Sequence, residues 1–195
     1  PTLASAQQPH IILLTIDDLG FNDIGYQSSD IAAATPTLTT MAREGVIFER
    51  YYGQEMCTPA RATILTGRWA PDLGFQDTEM TVYSTRGVPL REKLLPQHLR
   101  ELGYATHGFG KWNVGHCNES YLPWNRGFDS FLGYMTQGIS YYDHVAATYV
   151  RGGETRELHD MLDGRAPGYT GDSFGQPHLV YGWSETDDTV VTVNV

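Results

Sequence analysis

The sequence predicts an α/β fold in which a mainly parallel sheet lies between layers of helices. Two observations support this prediction. Strand-like and helix-like segments alternate along the chain, as they do in layered α/β folds. In addition, the run "HIILLTI", residues 10–16, lacks the apolar–polar alternation of a half-exposed strand. Such a run is typical of a strand that is buried on both faces of a parallel sheet.

A helix and a second strand are predicted next. In "TPTLTTMAREG", Thr35 is a candidate N-cap, Pro36 suits the first helical turn and Gly45 suits the end of the helix. The run "VIFERYY", residues 46–52, predicts the second strand because it is rich in β-branched and aromatic residues.

Two further helices are predicted in the middle of the chain. In "EMCTPARATILTGR", Thr58 is the candidate N-cap, Pro59 the first helical residue and Gly67 the terminator. The stretch "LREKLLPQHLRELG", residues 90–103, predicts the next helix, with Pro96 marking or bending its start.

A third strand is predicted over "YATHGFG", residues 104–110. In open α/β sheets, ligands bind near the carboxyl ends of the strands. Asp17, Asp18 and Lys111 follow directly after predicted strands. These three residues are therefore the first candidates for a functional site.

The pattern weakens beyond about residue 149. Residues 151–177 are rich in glycine and charge, which predicts a loop. The run "TVVTVNV", residues 189–195, predicts a last strand, and we expect the sheet to continue in residues beyond it. No internal repeat or domain linker interrupts the chain.

The composition narrows the class of partner. The chain has 195 residues, of which 41% are hydrophobic and 18% charged, as in ordinary globular domains. Its net charge of -10 disfavours binding to nucleic acid or to an anionic membrane surface. An anionic substrate would therefore need a local basic site. No apolar run is long enough for a membrane-spanning helix.

Two features of the sequence point to a secretory route. Residues 1–8 are expected to be the end of a signal peptide or an N-terminal tail, because Ala4-Ser5-Ala6 resembles a signal cleavage site. Asn118 begins an Asn-Glu-Ser glycosylation sequon. The expected location is extracellular, periplasmic or lysosomal. The two cysteines, Cys57 and Cys117, leave a disulfide open without establishing one.

Two clusters suggest metal and anion chemistry. Asp17 and Asp18 repel each other unless a cation or hydrogen bonds intervene, and carboxylate oxygens favour Ca²⁺ or Mg²⁺. The alternative is an acidic turn. Cys57 stands at a predicted helix N-terminus with Arg61 nearby, which favours an anion at this position. The alternative is a small, buried apolar residue.

Two later clusters carry further candidates. In "GFGKWNVGH", Lys111 can reach an anionic group and His116 can act as a base or ligand, although both are also common in surface loops. The segments "RGFDSFLGY" and "ISYYDH" are aromatic, which favours packing in the core. A substrate-facing wall formed by Tyr141, Tyr142 and His144 is the alternative.

Taken together, these clusters resemble the sulfatase family, and within it the arylsulfatases of the B type. The resemblance rests on "LLTIDDLGFNDIGY", "TPTLTTMAREGVIFERYY", "CTPARATILTGR", "LPQHLRELGYATHGFGKW" and "RGFDSFLGY", in that order. It spans roughly residues 9–145. It implies an alkaline-phosphatase-like sulfatase fold, with residues 9–195 as the N-terminal part of the catalytic domain and residues 149–195 matching poorly.

The resemblance also implies roles for individual residues. Cys57 would be converted by a formylglycine-generating enzyme to formylglycine, whose hydrate attacks the sulfur of a sulfate ester and then expels sulfate. Asp17 and Asp18 would bind Ca²⁺ together with the modified Cys57. Arg61 would hold the diol, and Lys111 would bind a sulfate oxygen.

His144 joins Lys111 as a candidate substrate-binding residue, and the implied substrate is a sulfated small molecule or glycan. Asn113 is a catalytic candidate that departs from the family, which usually has histidine there. Asparagine donates hydrogen bonds but does not exchange protons near neutral pH. His116, three residues farther on, is the candidate that could compensate for it.

A second departure is that the sequence contains no Asp-Asn pair, which completes the calcium site in the family. We therefore expect residues 1–195 alone to be poorly active. We also expect them to be poorly stable, because the sheet is expected to continue beyond them. Two other functions stay open. One is a non-catalytic relative that binds anions or calcium, and the other is a phosphonate or phosphate ester hydrolase that uses the same modified cysteine.

Overall fold

A computed structural model describes residues 8–140 and 142–145 in full. Farther along the chain it describes the backbone of five strands, which cover 145–151, 154–159, 162–165, 180–182 and 191–193. The chain divides into two compact units, Pro1–Tyr52 and Gly53–Val195, and each is described by itself. In the described part of the chain, no helix has the length and apolar character needed to cross a bilayer.

The first unit contains a short 3-10 turn, Phe21–Asp23, and helix α1, Pro36–Glu44. Thr35 occupies the N-cap position and Pro36 begins the helix, as the sequence predicts. The Thr35 hydroxyl makes no cap bond, because its oxygen accepts a hydrogen bond of 2.7 Å from the backbone N–H of Gly25. The predicted helix is confirmed, and its N-cap residue is hydrogen-bonded to the preceding loop.

The two strands predicted in this unit are not present. Residues 10–16 and 46–52 form no strand, and their side chains are largely exposed, with Ile12 at 90% and Val46 at 80%. An apolar run becomes a strand only when a neighbouring backbone pairs with it. Neither segment has such a neighbour among the residues that the structure describes.

The second unit begins with helix α2, Cys57–Thr66, and the short helix α3, Ala70–Leu73. The predicted end of α2 is confirmed, because Gly67 adopts the left-handed conformation with a φ of 68° and its N–H bonds the carbonyl of Thr63. The predicted start is wrong, since Met56 is the N-cap and Thr58 lies within the first turn.

Helix α4, Leu95–Glu101, is shorter than the predicted segment 90–103. Pro96 lies in its first turn, so the expectation that this proline marks the start of the helix is confirmed. The Gln97 side chain reaches back and accepts a 2.9 Å hydrogen bond from the N–H of Leu94. This bond satisfies a backbone donor just ahead of the helix.

The main sheet confirms the α/β prediction. Strand β1, His107–Lys111, pairs in parallel with β2, Ser130–Tyr134, and β2 pairs in antiparallel fashion with a strand from the last third of the chain. The predicted strand 104–110 begins later than expected, because the N–H of Thr106 bonds the carboxylate of Asp129 at 2.8 Å. Lys111 is therefore the last residue of β1 and does not follow it.

The predicted loop over 151–177 is wrong in part. Strand β3, Val145–Arg151, pairs in antiparallel fashion with β4, Glu154–His159, and β5, Leu162–Arg165, forms the third strand of the main sheet. The glycines at 152–153 separate two strands that pair with each other, which is the sequence pattern of a tight hairpin.

The last predicted strand is confirmed over part of its length. β7, Val191–Val193, pairs in antiparallel fashion with β6, Val180–Gly182. The other residues of the predicted segment 189–195 lie outside the described part of the chain.

The core of the second unit lies between α2, α4 and the β1–β2 pair. Trp112 is at its centre, with its ring 6.0 Å from those of Phe128 and Phe131 in edge-to-face contacts. This arrangement confirms the prediction that "RGFDSFLGY" packs in the core. The buried hydrophobic residues are Ala62, Leu73, Phe75, Met80, Val88, Leu94, Trp112, Val114, Trp124, Phe131 and Met135.

A buried arginine, Arg126, binds the loop that precedes α4. The side chain of Arg126 donates hydrogen bonds to the carbonyl oxygens of Val88, at 3.1 Å, and Glu92, at 2.8 Å. Burial lowers the pKa of Arg126 from its ordinary value, because the charged form loses solvation. The two carbonyls replace part of that solvation and fix the loop that leads into α4.

Two glycines permit the close approach of β1 and β2. Gly110 pairs with Gly133. The φ of Gly110 is 88°, a backbone conformation that residues with a side chain rarely adopt. A Cβ atom on Gly133 would lie 1.8 Å from the carbonyl oxygen of Gly110. Only glycine fits at this crossing, which lies one residue before Lys111.

We expect Gly133→Ala to destabilise the protein by at least about 1–3 kcal/mol, because the added methyl group must push the β1 backbone away. Gly138→Ala is the matched control, since a Cβ there meets no atom within 4 Å. Denaturant unfolding of the intact protein measures both effects. Equal unfolding midpoints for the two variants would show that the strands separate without cost.

Candidate functional site

The N-terminus of α2 presents Cys57. Met56 has an extended backbone, and its carbonyl accepts the first helical hydrogen bond, 3.1 Å from the N–H of Ala60. Cys57 is therefore the first helical residue and is half-buried. It forms no disulfide with Cys117. The cysteine thus stands where the positive end of the helix dipole acts most strongly.

A glutamate that the sequence did not single out binds this end of the helix. The backbone N–H of Thr58 donates to one carboxylate oxygen of Glu79 at 3.0 Å, and the Thr58 hydroxyl donates to the other at 3.1 Å. The same hydroxyl oxygen accepts a 2.9 Å bond from the N–H of Met80. These contacts explain why Thr58 is not the N-cap, since its hydroxyl bonds the loop of Glu79 and Met80.

Arg61 connects the helix to the sheet. It lies four residues after Cys57, so both residues lie on the same side of α2. Its Nη1 donates a hydrogen bond of 2.6 Å to the backbone carbonyl of Lys111. The guanidinium therefore lies at the carboxyl end of β1, beside the backbone of Lys111.

Trp112 anchors the segment that follows β1. Its indole N–H donates to the carbonyls of Gly115, at 2.9 Å, and Tyr121, at 3.1 Å. The backbone N–H groups of Trp112 and Asn113 bond the carbonyls of Tyr134, the last residue of β2, and Met135, which follows it. The chain on both sides of Trp112, including Lys111 and Asn113, is consequently held in place.

Asn113 is fully buried and adopts a left-handed backbone conformation with a φ of 53°. A non-glycine residue in this region is uncommon and is often found at functional sites. The side-chain amide of Asn113 contacts the carboxylate of Glu79. Because a carboxylate can only accept a hydrogen bond, the amide atom that faces Glu79 must be the donor Nδ2. Its Oδ1 has no hydrogen-bond partner in the described residues.

The remaining histidine and aromatic candidates lie in different surroundings. The Nε2 of His116 is 3.2 Å from the carbonyl of Val82, so Nε2 carries the proton. His144 is half-buried, with a φ of 59°, and its N–H bonds the carbonyl of Ser140. Tyr142 is 97% exposed, so the expectation that it packs in the core is wrong. Tyr141 lies outside the described residues.

The acidic pair belongs to the first unit. Asp17 and Asp18 lie in an exposed turn, and Asp18 has a φ of 54°. Two adjacent carboxylates in a turn offer the hard oxygen ligands that Ca²⁺ binds.

Within the second unit, the structure brings together the start of α2, Arg61, the end of β1 and Asn113. Glu79 is the member of this group that the sequence pattern missed, because an isolated glutamate in a polar loop carries no motif.

The sequon residue Asn118 is exposed. Its side-chain oxygen accepts a 2.9 Å hydrogen bond from the N–H of Ser120, at the start of the 3-10 turn Glu119–Tyr121. The amide nitrogen of Asn118 is the atom to which a glycan would be attached.

Comparison with known proteins gives consistent matches. The family model described as Sulfatase matches residues 9–186. Arylsulfatase J of Mus musculus is 42% identical over 141 residues, which are 72% of this chain and 23% of that protein. N-acetylgalactosamine-6-sulfatase of Homo sapiens is 36% identical over 148 residues, which are 72% of this chain and 28% of that protein. The chain thus spans about a quarter of the length of these relatives.

Solved structures give the same match. The crystal structure of Ps i-CgsB aligns with a TM-score of 0.64 and 35% identity, over 70% of this chain and 30% of that one. The structure of Ps i-CgsB in complex with k-i-k-neocarrahexaose aligns with a TM-score of 0.59 and 33% identity, over 65% of this chain and 28% of that one.

We expect Thr58→Val to destabilise the protein by about 1–3 kcal/mol, because it removes the hydroxyl bonds to Glu79 and Met80 and leaves a buried N–H without an acceptor. Thr63→Val is the matched control on the same helix, since the Thr63 hydroxyl is buried without a partner in the described residues. That change should be neutral or stabilising. The measurement is again denaturant unfolding, and a control as damaging as Thr58→Val would contradict this reasoning.

Proposed function

Because this chain belongs to the sulfatase family, we propose that its protein hydrolyses sulfate esters, with Cys57 as the precursor of the reacting group. The observation that carries the proposal is the hydrogen bond from Arg61 to the carbonyl of Lys111. It joins the helix that begins at Cys57 to the strand end that bears a lysine. Two cationic residues, Arg61 and Lys111, and the N-terminus of α2 thus lie on elements that are hydrogen-bonded to each other, in a protein with a net negative charge.

We propose that Cys57 is modified to formylglycine by a formylglycine-generating enzyme. The hydrate of that aldehyde supplies one hydroxyl that attacks the ester sulfur and a second that allows sulfate to leave. The overall reaction consumes one water, breaks the sulfur–oxygen ester bond, and yields sulfate and an alcohol or phenol. The exposed part of half-buried Cys57 provides access for both the modifying enzyme and the substrate.

The residues around Cys57 have complementary roles in this proposal. The ammonium of Lys111 binds a sulfate oxygen and stabilises the negative charge that spreads over the transferring group. Arg61 binds the ionised form of the reacting residue, one helical turn away. Asn113 contributes its amide oxygen Oδ1, which can accept a hydrogen bond from a hydroxyl of the reacting residue. Both cations compensate locally for the net charge of -10 that would otherwise repel the substrate.

We further propose that Asp17 and Asp18, together with the modified Cys57, bind Ca²⁺. The ion would neutralise charge at the sulfate and at the nucleophile. The basis is the sequence resemblance and the oxygen-donor chemistry of the pair. The two carboxylates fit a hard cation better than zinc, which prefers nitrogen and sulfur ligands.

The proposed substrate is an aryl or glycan sulfate. The relatives include a protein named N-acetylgalactosamine-6-sulfatase and a structure in complex with k-i-k-neocarrahexaose, which favours a sulfated glycan. His144, with its fixed left-handed backbone, is the proposed second substrate-binding residue besides Lys111. Location in the secretory pathway and glycosylation at Asn118 complete the proposal.

The second candidate function is that of a non-catalytic relative that binds anions or calcium. The observation that favours it is Asn113, a fully buried amide at a position where the family usually has a titratable histidine. Hydrolysis of phosphonate or phosphate esters is a third candidate, and comparing sulfate with phosphate monoesters distinguishes it from sulfate ester hydrolysis.

We expect Cys57→Ala to abolish hydrolysis of an aryl sulfate by the intact protein, because no other residue can supply the proposed aldehyde hydrate. Mass spectrometry of the wild-type peptide that contains Cys57 should show conversion to formylglycine when a host supplies the modifying enzyme. Cys117→Ser is the matched control. It removes the other cysteine, which is exposed and lies outside the proposed site, and should keep full activity.

Equal activity of wild type and Cys57→Ala would refute the mechanism. An unmodified thiol in every molecule from a competent host would also argue against it. Modified Cys57 without turnover of sulfate or phosphate esters would favour the non-catalytic candidate.

A further inference from the structure

The carboxylate of Glu79 accepts hydrogen bonds from two different parts of the second unit. Two of these bonds come from Thr58, the residue after Cys57, and involve both carboxylate oxygens. A third comes from the side-chain amide of Asn113, which follows β1. One side chain therefore connects the start of α2 to the segment after the strand.

This connection is rigid, because the residues that donate its hydrogen bonds are buried and are held by further hydrogen bonds. Thr58 and Asn113 are both fully buried. The hydroxyl of Thr58 is held from the other side by the N–H of Met80. The backbone N–H of Asn113 is held by the carbonyl of Met135 at 3.1 Å. Glu79 thus binds two groups that have little freedom of their own.

The contact with Asn113 also determines the orientation of its amide. A carboxylate offers no proton, so Nδ2 must face Glu79 and Oδ1 must lie at the other position of the planar group. That oxygen is buried and has no hydrogen-bond partner in the described residues. A buried acceptor without a partner costs free energy, and such groups are commonly retained for function.

A helix cap alone does not account for these features. Capping the first turn of α2 requires only an acceptor for the N–H of Thr58, which serine, threonine, aspartate or asparagine at the N-cap provides. It does not require the strained, left-handed backbone of Asn113 or its contact with Glu79.

We propose that Glu79 is a positioning residue of the active site, which fixes the start of α2 beside Cys57 and presents Oδ1 of Asn113 as a hydrogen-bond acceptor. In this role the carboxylate contacts no substrate. The acceptor would receive a hydrogen bond from a hydroxyl of the reacting residue or from the departing alcohol. This inference rests on the proposed sulfate ester hydrolysis.

The test reverses donor and acceptor in the hydrogen bond between residues 79 and 113. Glu79→Gln replaces one acceptor by a donor, so that Thr58 and Asn113 can no longer both be satisfied. Asn113→Asp places a second carboxylate against Glu79 and causes repulsion. In the double variant Glu79→Gln/Asn113→Asp, the glutamine amide donates to the new carboxylate, and the connection is restored with its direction reversed. Position 113 still presents an acceptor.

Two readouts are needed. The first is turnover of 4-nitrophenyl sulfate by the intact protein, with kcat and KM determined separately. The second is hydrogen exchange at the backbone amide of Thr58, followed by mass spectrometry of peptides that begin near Cys57. Asp77→Asn is the matched control, because it removes a nearby exposed carboxylate whose one described hydrogen bond is accepted from the hydroxyl of Thr78.

We expect each single variant to lower kcat by about 10- to 100-fold with little change in KM, since misplacement of reacting groups affects the reaction more than binding. Exchange at Thr58 should be faster in Glu79→Gln. The double variant should recover most of the loss in kcat, and Asp77→Asn should match wild type in both readouts.

The proposal is overturned if Glu79→Gln leaves kcat unchanged, if exchange at Thr58 is unaffected, or if the double variant is no more active than the product of the single effects predicts. If wild type hydrolyses no sulfate ester, the proposed function fails and exchange alone decides the role of Glu79. Faster exchange that the double variant reverses supports the positioning of α2, and unchanged exchange refutes it.

Discussion

The hydrogen bonds that continue the β1–β2 pairing beyond the strands are the constraint on which the candidate site depends. The N–H groups of Trp112 and Asn113 bond the carbonyls of Tyr134 and Met135, and the buried indole of Trp112 prevents the segment from shifting. The backbone positions of Lys111 and Asn113, on either side of Trp112, are thereby fixed. The backbone of the site thus gains its rigidity from strand pairing and core packing.

Helix ends and core residues could be predicted where the deciding interaction is local. Gly67 ends α2 because its own backbone conformation suits a left-handed cap, and Pro96 marks the start of α4 for a similar local reason. The start of α2 could not be predicted in this way. The role of Thr58 is decided by Glu79, which is 21 positions away in sequence. Strand β5 was missed because it contains charge and glycine, and because its pairing with β2 joins residues from 29 (Gly133 and Leu162) to 35 (Ser130 and Arg165) positions apart.

For the candidate site, the sequence pointed to the residues that we propose react or bind the substrate, but not to the contacts that hold them in place. Cys57, Arg61 and Lys111 were found because their spacing matches a family motif. Glu79 and the burial of Asn113 were not, since both follow from tertiary contacts. From the sequence alone, Asn113 differs from the family only by the loss of a titratable histidine. Its contact with Glu79 shows that a carboxylate lies directly behind it, so the departure at position 113 involves a pair of residues and not one.

The bond between Arg61 and β1 has a consequence for how residue 111 is interpreted. Its acceptor is the main-chain oxygen of Lys111, which any amino acid at that position would also supply. The mechanical link between helix and strand is therefore independent of the lysine side chain. Evolution, or an engineer, is free to alter the charge at this position without disconnecting the two elements, and the chemical specificity of the strand end can diverge while its architecture is preserved.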